Sequence, residues 1–395
     1  MSWWVLLRLE LRRILANRAL LLTVFGGLLL YAFLYPQPYI KQTPLQQPIT
    51  VINADGSQLS RQLIRMVNAS PLLEVTSQVA SIEQAQQLLV ERKVGGLLVI
   101  PENFYRDVLM GRSPTLSYAG DASYFLVYGT IVQGLAETSA TLAAQVKVAK
   151  MVVDGVPISL ASQLHSPVQL STNAAFNAHQ GYLDYVIPAV FIVILHQTLL
   201  IAMGLHASPT KPAIKPNLVR FFPAWKIVVV RSILFVAIYW LMSSFYIGVV
   251  LDYYGVHHWA NVADIYKLLL PFLLAASGLA MCIASLLPKR DYATIVGLMT
   301  SLPIVFACGF IWPLSSIPMP INIIADLIPA KPMVLGMLKM NQMGASFSEI
   351  QHHFTHLWSL AGCYFALAVA MVYWQSTSPP KVDAAKSALP SSLSE

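Results

Sequence analysis

Charge is what this sequence has least of. Of its 395 residues only 11% are Asp, Glu, Lys or Arg, against 56% that are hydrophobic. Soluble domains carry roughly 25% charge, so a water-facing surface around the whole chain is excluded. Cysteine is nearly as scarce. Cys282, Cys308 and Cys363 all lie inside apolar runs, and no polar segment holds one. That argues against a disulfide framework and a zinc site and leaves three small hydrophobes expected to be buried. No G-x4-G-K-[ST] loop occurs, so the chain lacks the usual phosphate cradle for hydrolysing ATP. There is no nucleophile elbow and no paired-carboxylate motif, and Gly95-Gly96 opens a strand rather than a helix. The chain therefore does not read as an enzyme.

Long apolar runs are what is there. Several reach about 18 residues, the length that crosses the hydrocarbon core as a helix. Six spans are expected, at 19–36, 182–206, 227–251, 265–287, 292–314 and 357–374. The first lacks a small-residue cleavage site and runs into proline-rich polar sequence, so it reads as a retained span. Orientation follows from the basic residues beside the spans. Arg8, Arg12, Arg13, Arg18, Lys211, Lys215, Arg220, Lys226, Arg231, Lys289, Arg290, Lys381 and Lys386 fall on one side, with only Glu10, Asp291, Asp383 and Glu395 to oppose them. That side is expected to be cytoplasmic and to hold both termini: an amphipathic entry helix at 1–18, a loop at 207–226 and a tail at 375–395. The basic surplus is a topology signal and does not call for nucleic acid.

Residues 37–181 then lie outside the cytoplasm and alternate between strand and helix. After Pro36, Pro38, Pro44 and Pro48, "ITVINADGSQLSRQLIRMVNAS" gives a strand, a turn at Asp55-Gly56 and a helix with Leu59, Leu63, Met66 and Val67 on one face. "LLEVTSQVA" is a second strand, and Ser81 with Gln84 suits a capping box for the next helix. "GGLLVIPENF" supplies a third strand and a helix start, "PTLSYAG" a fourth strand, and 123–153 a long helix. This alternation implies a small α/β layer domain. The fold class is thus an α-helical polytopic membrane protein of six spans, with an α/β domain inserted between the first and second.

Four stretches resemble the type-2 ABC transporter permeases, in the bacterial subgroup of exporters with a large periplasmic domain. "LRLELRRILANRALLL" resembles that family's entry helix through Arg8, Glu10, Arg13 and Arg18. "IPENF", with Asp55 and Ser57 in a D-x-S, resembles its outer domain. "YLDYVIPAVFIVILHQTLL" resembles its second span, with Pro188 and the polar pair His196-Gln197. "GFIWPLSSIPMPINIIADLIPAKPMVLGM" is similar to its most specific feature, through Gly309, Pro313, Pro318, Pro320, Pro329 and Pro332. The family's loop between spans two and three carries a Glu-rich segment and a Gly-Thr pair, and here only Pro223 and Lys226 match.

The resemblance implies a permease subunit in the bacterial inner membrane. It would pair with a second permease chain, as a homo- or heterodimer, and with a separate ABC ATPase that binds the ATP. A periplasmic adaptor and outer-membrane channel are further partners the family uses. The expected coupling residues are Arg8, Glu10, Arg13, Arg220, Pro223 and Lys226. Dense prolines cannot continue a straight helix, and free backbone at membrane depth must be buried in protein. The segment 315–356 is therefore expected to be broken in the outer leaflet, with Gly309, Pro313, Pro318, Pro320, Asp326 and Pro329 forming an outer gate. The cargo would be hydrophobic or amphiphilic compounds leaving the cytoplasm or inner membrane.

Alternatives stay open: a scaffold or sensor recruiting envelope proteins, or an ion-driven carrier, although charges inside spans are few. Arg231 reads as snorkelling from a span end. His196, near a span centre, is either functional or a neutral ring bonded to a neighbouring helix. His352 and His356, with His353 between, share a helical face but lack a third metal ligand placed by sequence. Trp3, Trp4 and His257-His258-Trp259 suit interface anchoring.

Overall fold

The computed structural model describes residues 2–40, 44–164, 175–177, 181–208 and 222–377. The chain divides into two compact units, one formed by Met1–Ile40 with Tyr182–Glu395 and the other by Lys41–Gly181. The first opens with α1 (Trp3–Ala16), followed through Asn17 by the apolar helix α2 (Arg18–Tyr39).

The second unit runs β1 (Gln47–Asn53), α3 (Gln58–Ala69), β2 (Leu73–Val79), α4 (Ile82–Val90), β3 (Gly96–Ile100), α5 (Phe104–Leu109), β4 (Ser117–Gly120), α6 (Phe125–Val153) and α7 (Ile158–Leu164). The sheet order is β2-β1-β3-β4. Strand β1 is parallel to β2 and β3, and β4 is antiparallel to β3. Residues Ile49 to Ile52 are all buried, as a strand covered on both faces requires, whereas β2 alternates and sits at an edge. Ile49, Val51, Leu98 and Ile100 pack against Leu63 and Val67 of α3, Phe104 of α5 and Ile131 of α6. Ile52 and Leu97 turn the other way, onto Ala85 of α4. Ser81 caps α4 by accepting from the Gln84 amide at 3.3 Å, and the Gln84 side chain reaches back to the Ala80 amide. Asp55, at the end of β1, accepts a hydrogen bond from the Tyr105 amide at the start of α5. The D-x-S turn and the "IPENF" turn, 50 residues apart in sequence, thus meet at the carboxyl edge of the sheet.

The first unit resumes with α8 (Leu183–Ala207), α9 (Ala224–Tyr253), α10 (Val262–Leu286), α11 (Tyr292–Ala307), α12 (Met319–Asp326), α13 (Ala330–Met343) and α14 (Gln351–Thr377). Five of these helices, α2, α8, α9, α10 and α14, are long and apolar enough to cross a membrane. A sixth span arises if α12 and α13, bent by 90°, count as one. The expected span 292–314 differs from this. Helix α11 stops at Ala307, because Gly309 adopts φ +81° and Pro313 cannot extend a helix. Residues 315–356 also hold more than broken chain, since α13 buries Met333, Val334, Met337 and Met340 in the core. Helix α14 begins at Gln351, ahead of the expected 357.

The second span, α8, is the axle of this unit. It is 94% buried along its apolar window, against 22% for α14. Its neighbours approach closely because small residues face them. A Cβ added to Gly204 would lie 2.4 Å from the Ala293 Cβ of α11, and one added to Gly297 would lie 2.3 Å from Ile201 Cγ1. Without a hydrophobic drive between helices in lipid, such close packing is a main source of association. Gly278 of α10 meets Tyr364 of α14 in the same way. Cys282 and Cys308 are buried as expected, but Cys363 is exposed, on a face of α14 turned away from the bundle.

These contacts predict that Gly297→Leu pushes α11 off α8. Overpacking of this kind costs about 1–3 kcal/mol, so the thermal unfolding midpoint in detergent should drop clearly. Gly362→Ala, at a helical position with open space around it, should not lower the midpoint, since alanine is the better helix former. Equal midpoints for Gly297→Leu and the unsubstituted protein would show that α8 and α11 are not tightly packed.

Candidate functional site

Helix α1 starts where Ser2 accepts a hydrogen bond from the Trp4 amide at 3.3 Å. Leu6, Glu10 and Ile14 recur every four residues and point one way, and all three are buried. Leu6 packs with Phe222, Ile227 and Val230, and Ile14 joins the main core of the bundle. Between them lies a carboxylate with 0% exposure. A buried ion is strongly unfavourable unless paired and hydrogen-bonded.

Glu10 has both. Arg231 of α9 donates from Nε at 3.2 Å and from Nη2 at 3.1 Å to Oε1, a two-pronged contact. His206, at the end of α8, places Nε2 2.5 Å from Oε2. Arg13 adds a weaker approach at 3.8 Å. Burial alone would raise the Glu10 pKa. The Arg231 charge, followed by the His206 hydrogen bond, outweighs it and lowers the pKa to about 2. Arg231 is therefore not a snorkelling side chain but the counter-ion of a buried acid. The turn after α1 is fixed too. Asn17 accepts from the Leu20 amide at 3.3 Å and from Arg290 Nη2 at 3.4 Å.

The start of α9 continues this surface. Pro223 is the residue before its first turn. Lys226 Nζ lies 5.4 Å from the Trp3 ring centroid and 5.6 Å from that of Trp225, and the two rings meet edge to face at 5.5 Å. Of the expected coupling residues, the structure thus brings Glu10 and Arg13 together, and Lys226 onto α1. Arg8 is exposed. Arg220 lies outside the described residues. The sequence pattern missed His206 and Arg231. The available signal was a lone acid on the apolar face of α1 together with two ionisable residues at span ends.

The proline-rich segment forms a second arrangement. At Gly309 the backbone takes φ +81°, which favours glycine. Pro318 precedes α12 and Pro320 sits in its first turn, where a missing N–H does no harm. Pro329 precedes α13. Across the bend, Lys331 is 3% exposed and its Nζ meets Asp326 Oδ1 at 2.6 Å, Asn322 Oδ1 at 2.5 Å and Asn322 O at 3.2 Å. Tyr364 of α14 donates to Leu327 O at 2.5 Å and ties the bend to the bundle. Asp326 was legible in the sequence, whereas its buried partner Lys331 was not.

His196 and Gln197 are buried in α8. The His196 ring lies 6.3 Å from that of Phe272, and neither ring nitrogen has a hydrogen-bond partner among the described residues. His353 is likewise buried, and its ring lies 4.3 Å from that of His352.

Residues 18–370 match the model of a family described as ABC-2 family transporter protein. No curated protein matches the chain. Among solved structures, the chain is similar to a domain assigned to an ABC type-2 transporter of Thermotoga maritima MSB8. The identity is 16%, over 31% of this chain and 81% of that one, with a TM-score of 0.23.

Glu10→Gln removes the buried acid and leaves the partly buried Arg231 without its counter-ion, and breaking a buried pair costs up to about 3–5 kcal/mol. The thermal midpoint should fall accordingly, and a Glu10→Leu/Arg231→Leu double variant should recover much of the loss. A carboxyl whose folded pKa is lowered from 4.5 to about 2 adds stability above its unfolded pKa and loses it as pH falls through the folded one. The midpoint of the unsubstituted protein should therefore fall on acidification between those values, and that slope should be shallower in Glu10→Gln. Identical acid profiles for the two would show that Glu10 is not charged in the folded state.

Proposed function

The chain belongs to the ABC-2 family of transporter proteins, and from that premise we propose that it is the membrane-spanning permease subunit of an ATP-driven exporter. It works as a homo- or heterodimer with a separate ATPase and moves hydrophobic or amphiphilic compounds out of the cytoplasm or inner membrane. The observation that carries this is the buried Glu10–Arg231–His206 cluster. It locks α1 to the ends of α8 and α9 without slack, because Glu10 cannot exchange its partners for water at low cost. A partner that pushes on α1 or on the 207–226 loop would therefore move the central helix of the bundle.

Several features support the rest. The missing phosphate cradle fits an ATP site on the partner. The basic residues at the α1 end of the bundle favour a cytoplasmic location for that end and for both termini, and the α/β unit would then be periplasmic, where an adaptor and an outer-membrane channel could meet it. The bend between α12 and α13, stabilised by Lys331, would act as the outer gate, with Gly309, Pro313, Pro318, Pro320, Asp326 and Pro329 setting its shape.

Charge reversal at Arg220 and Lys226 should reduce copurification of the ATPase, most clearly at low salt, where exposed ion pairs are least screened. ATP-dependent export by reconstituted vesicles should fall with it. Unchanged copurification by a folded variant would remove this loop from the contact. An ATPase that binds but drives no export of any amphiphile would favour a scaffold or sensor.

Ile323, exposed on α12, tests orientation and gate together. With Cys363 replaced by Ser, an Ile323→Cys variant should react with a membrane-impermeant thiol reagent added to spheroplasts. It should also cross-link between protomers more in one nucleotide state than in the other. Reaction only after lysis would reverse the orientation, and equal cross-linking in every state would leave a static cap.

A further inference from the structure

Helices α2 and α9 are in contact over only part of their length. Between them lies a groove of about 430 Å³, lined by Phe25 and Leu29 on one side and by Leu241, Met242, Ser244, Phe245 and Val249 on the other. The volume falls within the range of roughly 300–1,000 Å³ typical of ligand pockets. Each wall is a ladder with a four-residue step, 25 and 29 on α2 and 241, 245 and 249 on α9, so the trough runs along the helix axes.

Three further observations bear on what fills it. Both walls leave α-helical geometry at this place. Residues Leu22–Gly27 of α2 and Tyr246–Val250 of α9 are π-helical, a form that is rare and recurs at functional sites. The two helices are also joined beside the groove rather than across it. Tyr246 donates to Leu28 O at 2.7 Å while its ring stacks on Phe191 of α8 at 4.3 Å. Finally, the lining offers no free polar group. The Ser244 hydroxyl donates to Trp240 O and accepts from Tyr266, each at 2.8 Å.

We propose that this groove holds one acyl chain of a bilayer phospholipid, lying parallel to α2 and α9. An occupant with a hydrogen-bonding group inside the trough would leave that group unpaired, which disfavours it. A saturated chain has none, and its direction in a bilayer is that of the trough. The groove is also continuous with the exposed apolar faces of both spans, where Leu30 and Leu34 of α2 and Leu241 and Val249 of α9 point outward.

The test uses the full chain in phosphatidylcholine nanodiscs doped with a phospholipid that carries a diazirine along one acyl chain. After irradiation, adducts are mapped by mass spectrometry. Labelling within 25–29 and 241–249 should exceed that on the exposed face of α11 at Ile295, Leu298, Met299 and Leu302 by about fivefold, the ratio that a preference of roughly 1 kcal/mol gives. Val249→Trp, which fills the trough, should abolish the excess and leave labelling of α11 unchanged. If that variant does not fold, Leu29→Trp makes the same test from the other wall. Equal labelling of groove and α11 would overturn the proposal. So would groove labelling below that of α11, which would mean that a second copy of the chain covers the site.

Discussion

A single buried carboxylate constrains one end of the membrane unit. Glu10 lies on the apolar face of α1, where it has no access to water. It is tolerable there only because Arg231 and His206 reach it from two different spans. The pairing works in both directions. It fixes the roll of α1 about its axis, so that Leu6 and Ile14 enter their cores. It also sets how far the ends of α8 and α9 stand apart. The Asn17 turn, held by Arg290, then sends the chain into the first span from a defined direction.

At the far end of α11 the same problem is solved with the signs exchanged. Lys331 is buried in the bend between α12 and α13, and Asp326 and Asn322 satisfy it from one turn of a single short helix. The two charged clusters differ in reach. The Glu10 cluster joins three helices distant in sequence and resists their separation. The Lys331 cluster closes within ten residues and stiffens a corner. Between them the interior is held by shape, through Gly204, Gly297 and Gly278 set against neighbouring helices, so movement at one end has little slack in which to be lost.

Much of the architecture could be read from local pattern. The four strands of the α/β unit, the Ser81 cap and the amphipathic face of α3 follow from periodicity of two or 3.6 and from turn residues, all of which act over a few positions. The five long spans follow from apolar length alone. Failures occurred where length and composition compete with a single backbone event. The run 292–314 is apolar enough to span, but Gly309 and Pro313 end the helix early. Helix α13 was hidden among prolines that turn out to mark helix starts rather than breaks. Cys363 was expected inside, because composition does not show which face of a span meets the bundle.

The site divides along the same line. The backbone effect of its glycine and prolines is local, because a proline has no N–H, whereas Glu10, Arg13 and Lys226 were expected only through the family resemblance. The sequence by itself thus determined the class of molecule, five of its long spans and the alternating α/β unit. Only the tertiary structure showed that Glu10 is buried and which side chains pair with it. Arg231 lies 221 positions away and His206 lies 196, and nothing in their neighbourhoods marks them for Glu10. The meeting of Asp55 with the turn at Tyr105, the burial of Lys331 and the groove between α2 and α9 are of the same kind. They depend on how helices and strands pack in three dimensions, and that packing is set by the fit of many side chains at once rather than by any short stretch of chain.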